Sequence, residues 1–211
     1  MKSLYIVGAG GFGREVFSWL KALAEWGHAW EFAGFVDDNA GVLAGKQTQA
    51  VVVSSLADFR PARETLIVCA IGDPAMRLKV CRELMLRGVD FLTLIHPSAV
   101  VGDNCVLGRG CILCPGAVIT ANVRLGNFVI VNVHSSIGHD AVVGDGVTLS
   151  GHVDITGCVE VGEGAFFGTH ATTLPGAKIG AYARIGAGSV VLRRVKAGAT
   201  VMGVPAKQIL P

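Results

Sequence analysis

The chain has 211 residues, a formal net charge of +2, 51% apolar residues and 29 glycines. No stretch gathers Lys and Arg with interleaved aromatics, which argues against a nucleic-acid partner, and no apolar run reaches the ~18 residues of a membrane-spanning helix. Six cysteines without a framework of short spacings fit a reducing cytoplasm.

The N-terminal stretch "MKSLYIVGAGGFG" reads as a strand and a turn, since glycines interrupt its apolar run too early for a signal peptide. An amphipathic helix follows through "REVFSWLKALAEWG". "EFAGFVDD" is a second strand ending in Asp37 and Asp38, and "ETLIVCAIGD" is a third, followed by a helix through "PAMRLKVCRELMLRG". This β-α-β alternation predicts a small Rossmann-like open parallel sheet over residues 1–95. Gly8, Gly10 and Gly13 satisfy G-x-G-x-x-G between strand and helix. That arrangement lets backbone approach a phosphate at a helix N-terminus. A complete dinucleotide domain needs two β-α-β-α-β halves, and about one fits here. A nucleotide-linked substrate therefore suits the loop better than NAD or a flavin. Asp37 and Asp38 are placed to hold ribose or sugar hydroxyls, or simply to end a strand in solvent.

From Val101 the sequence runs in hexads, VGDNCV to AGATVM, seventeen in unbroken register. Fifteen begin with Val, Leu, Ile or Phe, with Thr173 and Ala197 as exceptions, and every fifth residue is Val, Ala, Ser or Cys. Such a period is the mark of a parallel β-helix. First and fifth positions should face inward, and the glycine that stands second in ten hexads should serve the corners. The fold class is thus α/β plus all-β, with the β-helix over residues 96–211. In the hexad IGHDAV, Ile137 and Ala141 point inward, so His139 and Asp140 point out. One coil of 18 residues further along, Gly157 lies beside His139 and Cys158 beside Asp140. His134, His152 and His170 share that spacing and should stack on one corner. Cys105 and Cys111 take inward positions, and Cys114 opens the next face, so "CILC" should not converge on a metal.

"IVGAGGFGRE", "FVDD", "AIGD", "LIHPSA", "IGHD" and "GVPAK" occur in that order. Together they resemble bacterial sugar acyltransferases of the sialic-acid O-acetyltransferase and nucleotide-aminosugar N-acetyltransferase type, over essentially the whole chain. The resemblance implies a left-handed β-helix and a homotrimer using acetyl-CoA, with each active site between subunits. It implies His139 as general base and Asp140 as the acid supporting it, where many members carry Glu. Gly10, Gly11, Phe12, Asp37, Asp38 and Gly72 would form the sugar-nucleotide pocket. Thr148, Gly157, Thr169, Ala187, Pro205 and Lys207 would contact acetyl-CoA, and no metal is implied.

The expected reaction is N-acetylation of a nucleotide-linked 4-amino sugar by direct attack on the thioester. O-acetylation of sialic acid or a related sugar is the alternative. A ping-pong route through Cys158 is a mechanistic rival. A non-catalytic sugar-nucleotide-binding protein is the rival of another class.

Overall fold

Leu4, Ile6 and Val7 are fully buried in β1 (Lys2–Val7), the strand that leads into the glycine loop. The computed structural model describes residues 1–209, and these divide into two units, residues 1–72 with 79–92, and residues 73–78 with 93 onward. The first unit continues with α1 (Gly11–Leu20), β2 (Trp30–Val36), β3 (Val52–Ser54) and β4 (Thr65–Cys69). Then come α2 (Pro74–Leu86), whose first turn groups with the second unit, and β5 (Asp90–Phe91). The strands form one parallel sheet in the order β3-β2-β1-β4-β5. Every residue of β4 is buried, as expected of an apolar strand inside a parallel sheet. Strand order reverses between β1 and β4, and the carboxyl ends flanking such a switch point form the ligand crevice of this architecture.

Three strands were legible in the sequence; β3 and β5 are additions. They have three and two residues, too few to show an alternating pattern. The first helix is also shorter than its amphipathic stretch. Ala22 and Leu23 bond back to Trp19 and Leu20 in tight turns, which end it at Leu20.

The second unit is a parallel β-helix. Its first face begins at Leu94–Ile95 and its second at Val100–Val101; its third begins at Val106–Leu107. Among the described residues six strands form each of the second and third faces; eight form the first, the last of them, Lys207–Gln208, antiparallel. First- and fifth-position residues such as Leu125, Val129, Ile137, Ala141, Leu149 and Phe167 make one continuous core.

Two features of the hexads correct the sequence reading. Second-position glycines answer crowding rather than corner angles: a Cβ on Gly138 would come within 2.6 Å of Gly157 N, and one on Gly168 within 2.6 Å of Ala187 N. The left-handed corner angle belongs to the fourth position. There Asn104, Asn122, Phe128, His134, Asp140, His152, Cys158, His170 and Tyr182 all have φ between 53° and 60°. Gly188 shows this constraint alone, with φ of 65° and open space around its Cα. Gly188→Ala is expected to lower stability by about 1 kcal/mol, and Gly188→Asn by less, because Asn tolerates that region. Thermal melts of the two variants check this.

The register also breaks once. Strands recur every six residues until Val190–Val191, but Arg194–Val195 follows only four residues later. The corner between the second and third faces is therefore shortened in the last coil. Ala197, the misfit at a first position, marks the slip: it is exposed, while Val195, Ala199 and Val201 turn inward.

Candidate active site

His139 and Asp140 stand on the corner between the second face (Ser136–Ile137) and the third (Val142–Val143). Ile137 and Ala141 are fully buried on either side, and this fixes the pair as outward-facing. Both side chains are exposed, and His139 Nδ1 lies 2.7 Å from Asp140 Oδ2. An ionised carboxylate only accepts, so Nδ1 carries the proton and Nε2 presents its lone pair. Asp140 reaches the ring although it is shorter than Glu. Its own φ of 60° turns it there, in a region that Asp adopts more readily than most residues.

The carboxyl of Asp140 is held below the usual carboxylate range, chiefly by the hydrogen bond from His139 and further by one from Asn122. Asn122 was missed in the sequence, although it sits 18 residues before Asp140 at the same corner and bonds to Asn104 in turn. The coil period was the signal that could have found it.

Gly157 lies directly under the imidazole: a Cβ there would fall 2.6 Å from His139 Nε2. Cys158 follows, exposed, its N–H donating to His139 O at 2.8 Å. One sulfur, one nitrogen and one carboxylate oxygen of Cys158, His139 and Asp140 lie within 4.8 Å of one another. On the adjoining third face, Val142, Glu160 and Lys178 border an open groove of about 800 Å³, where Lys178 and Glu160 pair at 2.8 Å.

Other anticipated residues lie elsewhere on the β-helix. Thr169 and Ala187 are exposed on the corner between the first and second faces, beside His170. Within one chain they do not share a corner with His139. The histidines of that corner do stack, His134 on His152 at 5.3 Å and His152 on His170 at 4.8 Å between ring centroids. Thr148 is buried on the first face and its Oγ1 accepts from Arg77 Nη2 at 2.8 Å, so its hydroxyl is engaged by the protein itself. Pro205 and Lys207 are exposed around the terminal hairpin that pairs Met202 with Lys207. Cys111 is inert in this setting: burial pushes its thiol up to about 11.

In the first unit, Gly8 takes a φ of 92° and Gly13 packs against Gly8 so closely that any side chain there would strike its carbonyl. Gly10 caps α1, and it and Gly11 are exposed; a Cβ at Gly10 would meet nothing within 4 Å. The loop is thus tight at its base and open at its mouth, the shape that lets a phosphate meet backbone N–H groups. Phe12 packs edge-on against Trp19. Asp37 holds the loop closed, accepting from Ala9 N at 2.7 Å and Asn39 N at 2.9 Å, while Asp38 accepts from Leu56 N at 2.8 Å. Gly72 follows β4 and is exposed with open space around it. Gly11, Arg14, Lys21, Lys46 and Thr48 border a cleft of about 590 Å³ along α1.

Residues 3–84 match the PglD N-terminal domain, and residues 93–121 match the bacterial transferase hexapeptide (six repeats). A perosamine N-acetyltransferase from Caulobacter crescentus, crystallised as a histidine-to-asparagine variant with CoA and GDP-perosamine, is 32% identical. That match covers 100% of this chain and 98% of that one, with a TM-score of 0.88. The chain belongs to the hexapeptide-repeat sugar acyltransferase family. Another structure with this family's fold is the acetyltransferase domain of PglB from Neisseria gonorrhoeae in complex with acetyl coenzyme A. It is 29% identical, covering 99% of both chains with a TM-score of 0.88. GDP-perosamine N-acetyltransferase of Escherichia coli O157:H7 is 35% identical over 138 residues, or 64% of this chain; the chain spans 61% of that curated relative's length.

Proposed function

We propose that this family member is an acetyl-CoA-dependent N-acetyltransferase acting on a nucleotide-linked 4-amino sugar. The observation that carries the reading is the His139–Asp140 pair, with Nδ1 tied to a carboxylate and Nε2 turned over a residue without a side chain. His139 Nε2 accepts a proton from the sugar amine as its nitrogen attacks the thioester carbonyl. The C–S bond then breaks, and the thiolate of CoA leaves and takes up a proton. Asp140 stabilises the imidazolium formed on the way. A backbone N–H of the corner is the group suited to the developing oxyanion. Gly10, Gly11 and Gly72 would face the sugar nucleotide, with Phe12 offering a ring to stack.

The Caulobacter crescentus and Escherichia coli relatives named above bind or act on GDP-perosamine, which favours an amine over a sialic-acid hydroxyl as acceptor. Thr169 and Ala187 occupy a different corner from His139. A CoA site using all three therefore takes one corner from each of two subunits, in keeping with a homotrimer whose active sites lie between neighbours. We place the enzyme in the cytoplasm, in the supply of acetylated sugars for a surface glycan.

The test is acetyl transfer from acetyl-CoA to a panel of GDP-, UDP- and dTDP-linked 4-amino sugars and free sialic acid, read as acetylated product. Product with one nucleotide amino sugar supports the reading. Product only with sialic acid overturns the N-acetylation, and tight sugar-nucleotide binding without turnover overturns the enzyme. Direct attack makes a further prediction: Cys158→Ser keeps turnover close to that of the unaltered protein. Its abolition would instead indicate an acyl-cysteine intermediate.

A further inference from the structure

Direct transfer gives Cys158 no task, yet it is an exposed thiol at the side of the base. Its position follows from the β-helix. Asp140 and Cys158 are fourth-position residues of consecutive coils on one corner, with φ of 60° and 59°. Equivalent backbone angles on stacked coils send the two side chains out side by side. His139 precedes the first of them, and the bare Cα of Gly157 lets its ring lie toward the second. The hydrogen bond from Cys158 N to His139 O fixes the spacing of the two coils at this point.

We propose that His139, Asp140 and Cys158 bind a thiophilic divalent cation, Zn²⁺ in particular, and that the bound ion inhibits the enzyme. The three ligand atoms already lie within 4.8 Å of one another, and all three side chains are exposed. Thiolate, imidazole and carboxylate are the donors that zinc takes, and three protein ligands leave a fourth position for water. Mg²⁺ and Ca²⁺ prefer oxygen donors and do not suit this set. Space for the water is present on the same corner, where the next fourth-position residue is Gly176, beside which a Cβ would meet no atom of the described residues within 4 Å. On binding, the thiol releases its proton and the imidazole gives a lone pair to the metal. An imidazole so engaged cannot accept the proton of the attacking amine. The inhibition rests on the acetyl-transfer reading above; the binding does not.

Two measurements decide the matter separately. In the first, the full-length protein without CoA is titrated with Co²⁺ alone and scanned for thiolate-to-cobalt charge-transfer absorption. The band should form with the unaltered protein, weaken in His139→Asn and be lost in Cys158→Ser. No band, or an unchanged band in Cys158→Ser, overturns the site. In the second, acetylated product is quantified by mass spectrometry with Zn²⁺ or Mg²⁺ added, which avoids a thiol readout. Zn²⁺ should suppress product in the unaltered protein and spare Cys158→Ser, whose basal rate is unchanged, and Mg²⁺ should do neither. Equal zinc sensitivity in both proteins overturns the inhibitory role. Absence of acetyl transfer without any metal sinks the proposed reaction instead, and the cobalt band still decides the site.

Discussion

His139→Ala is expected to reduce acetyl transfer by about 10²–10⁴-fold, the span that a positioned general base contributes. The loss should fall on kcat, with KM for both substrates little changed, because the base acts in the transition state rather than in binding. Asp140→Asn should fall between the variant and the unaltered protein. Asn accepts the corner's φ of 60°, so the fold survives, but the charge facing the imidazolium is gone. The pH profile separates the two roles. The hydrogen bond from His139 holds the Asp140 carboxyl below its ordinary range, so Asp140 stays ionised well into acid. Any loss of rate between neutral pH and about pH 5 therefore does not come from protonation of the Asp140 carboxylate, and it should persist in Asp140→Asn. Steady-state rates of product formation at several pH values check both statements. His139→Ala turning over within about tenfold of the unaltered enzyme would contradict its assignment as base.

The reach of the sequence differs between the two units for a physical reason. In the β-helix each coil repeats the last, so a residue's phase in its hexad states whether it is inside or out. Leu149, Val153 and Ile155 could be placed in the core, and His139 and Asp140 on the surface, without coordinates. Phase does not state why a residue type is tolerated. The sequence suggests a corner device in second-position glycine, whereas it avoids a clash with the next coil, and the corner angle falls two residues later. The first unit has no such repeat. Its β3 and β5 are too short to leave a pattern, and Asp37 and Asp38 were ambiguous because the same carboxylate suits a sugar hydroxyl or a backbone N–H. In this fold each accepts a backbone N–H of its own unit. Thr148 was hidden for a related reason: its partner lies 71 residues earlier on a helix, outside any coil period.

That partner, Arg77, sets the second large expectation. It lies in the first turn of α2 and is fully buried. Its Nε donates to Phe128 O at 2.9 Å; its Nη2 donates to Gly146 O at 2.7 Å, Val147 O at 3.2 Å and Thr148 Oγ1 at 2.8 Å. Phe128 and Gly146 are fourth-position residues of consecutive coils on the corner between the third and first faces. One planar guanidinium thus spans two coils, reaching backbone carbonyls of both and the Thr148 hydroxyl. Arg77→Met keeps much of the volume and removes every donor. Buried acceptors would then lose their charged partner, at a cost of about 3 kcal/mol or more. For a chain of this size that corresponds to a fall in Tm of roughly 6–12 °C. Arg77→Lys should recover only part of it, since one ammonium cannot match the fork. Thr148→Val should cost less by itself and little more on top of Arg77→Met, because the two side chains share one bond. Thermal melts of the three single variants and the Arg77→Met, Thr148→Val pair test this. Strict additivity, or an Arg77→Met melt within about 2 °C of the unaltered protein, would show that Arg77 does not tie the two coils.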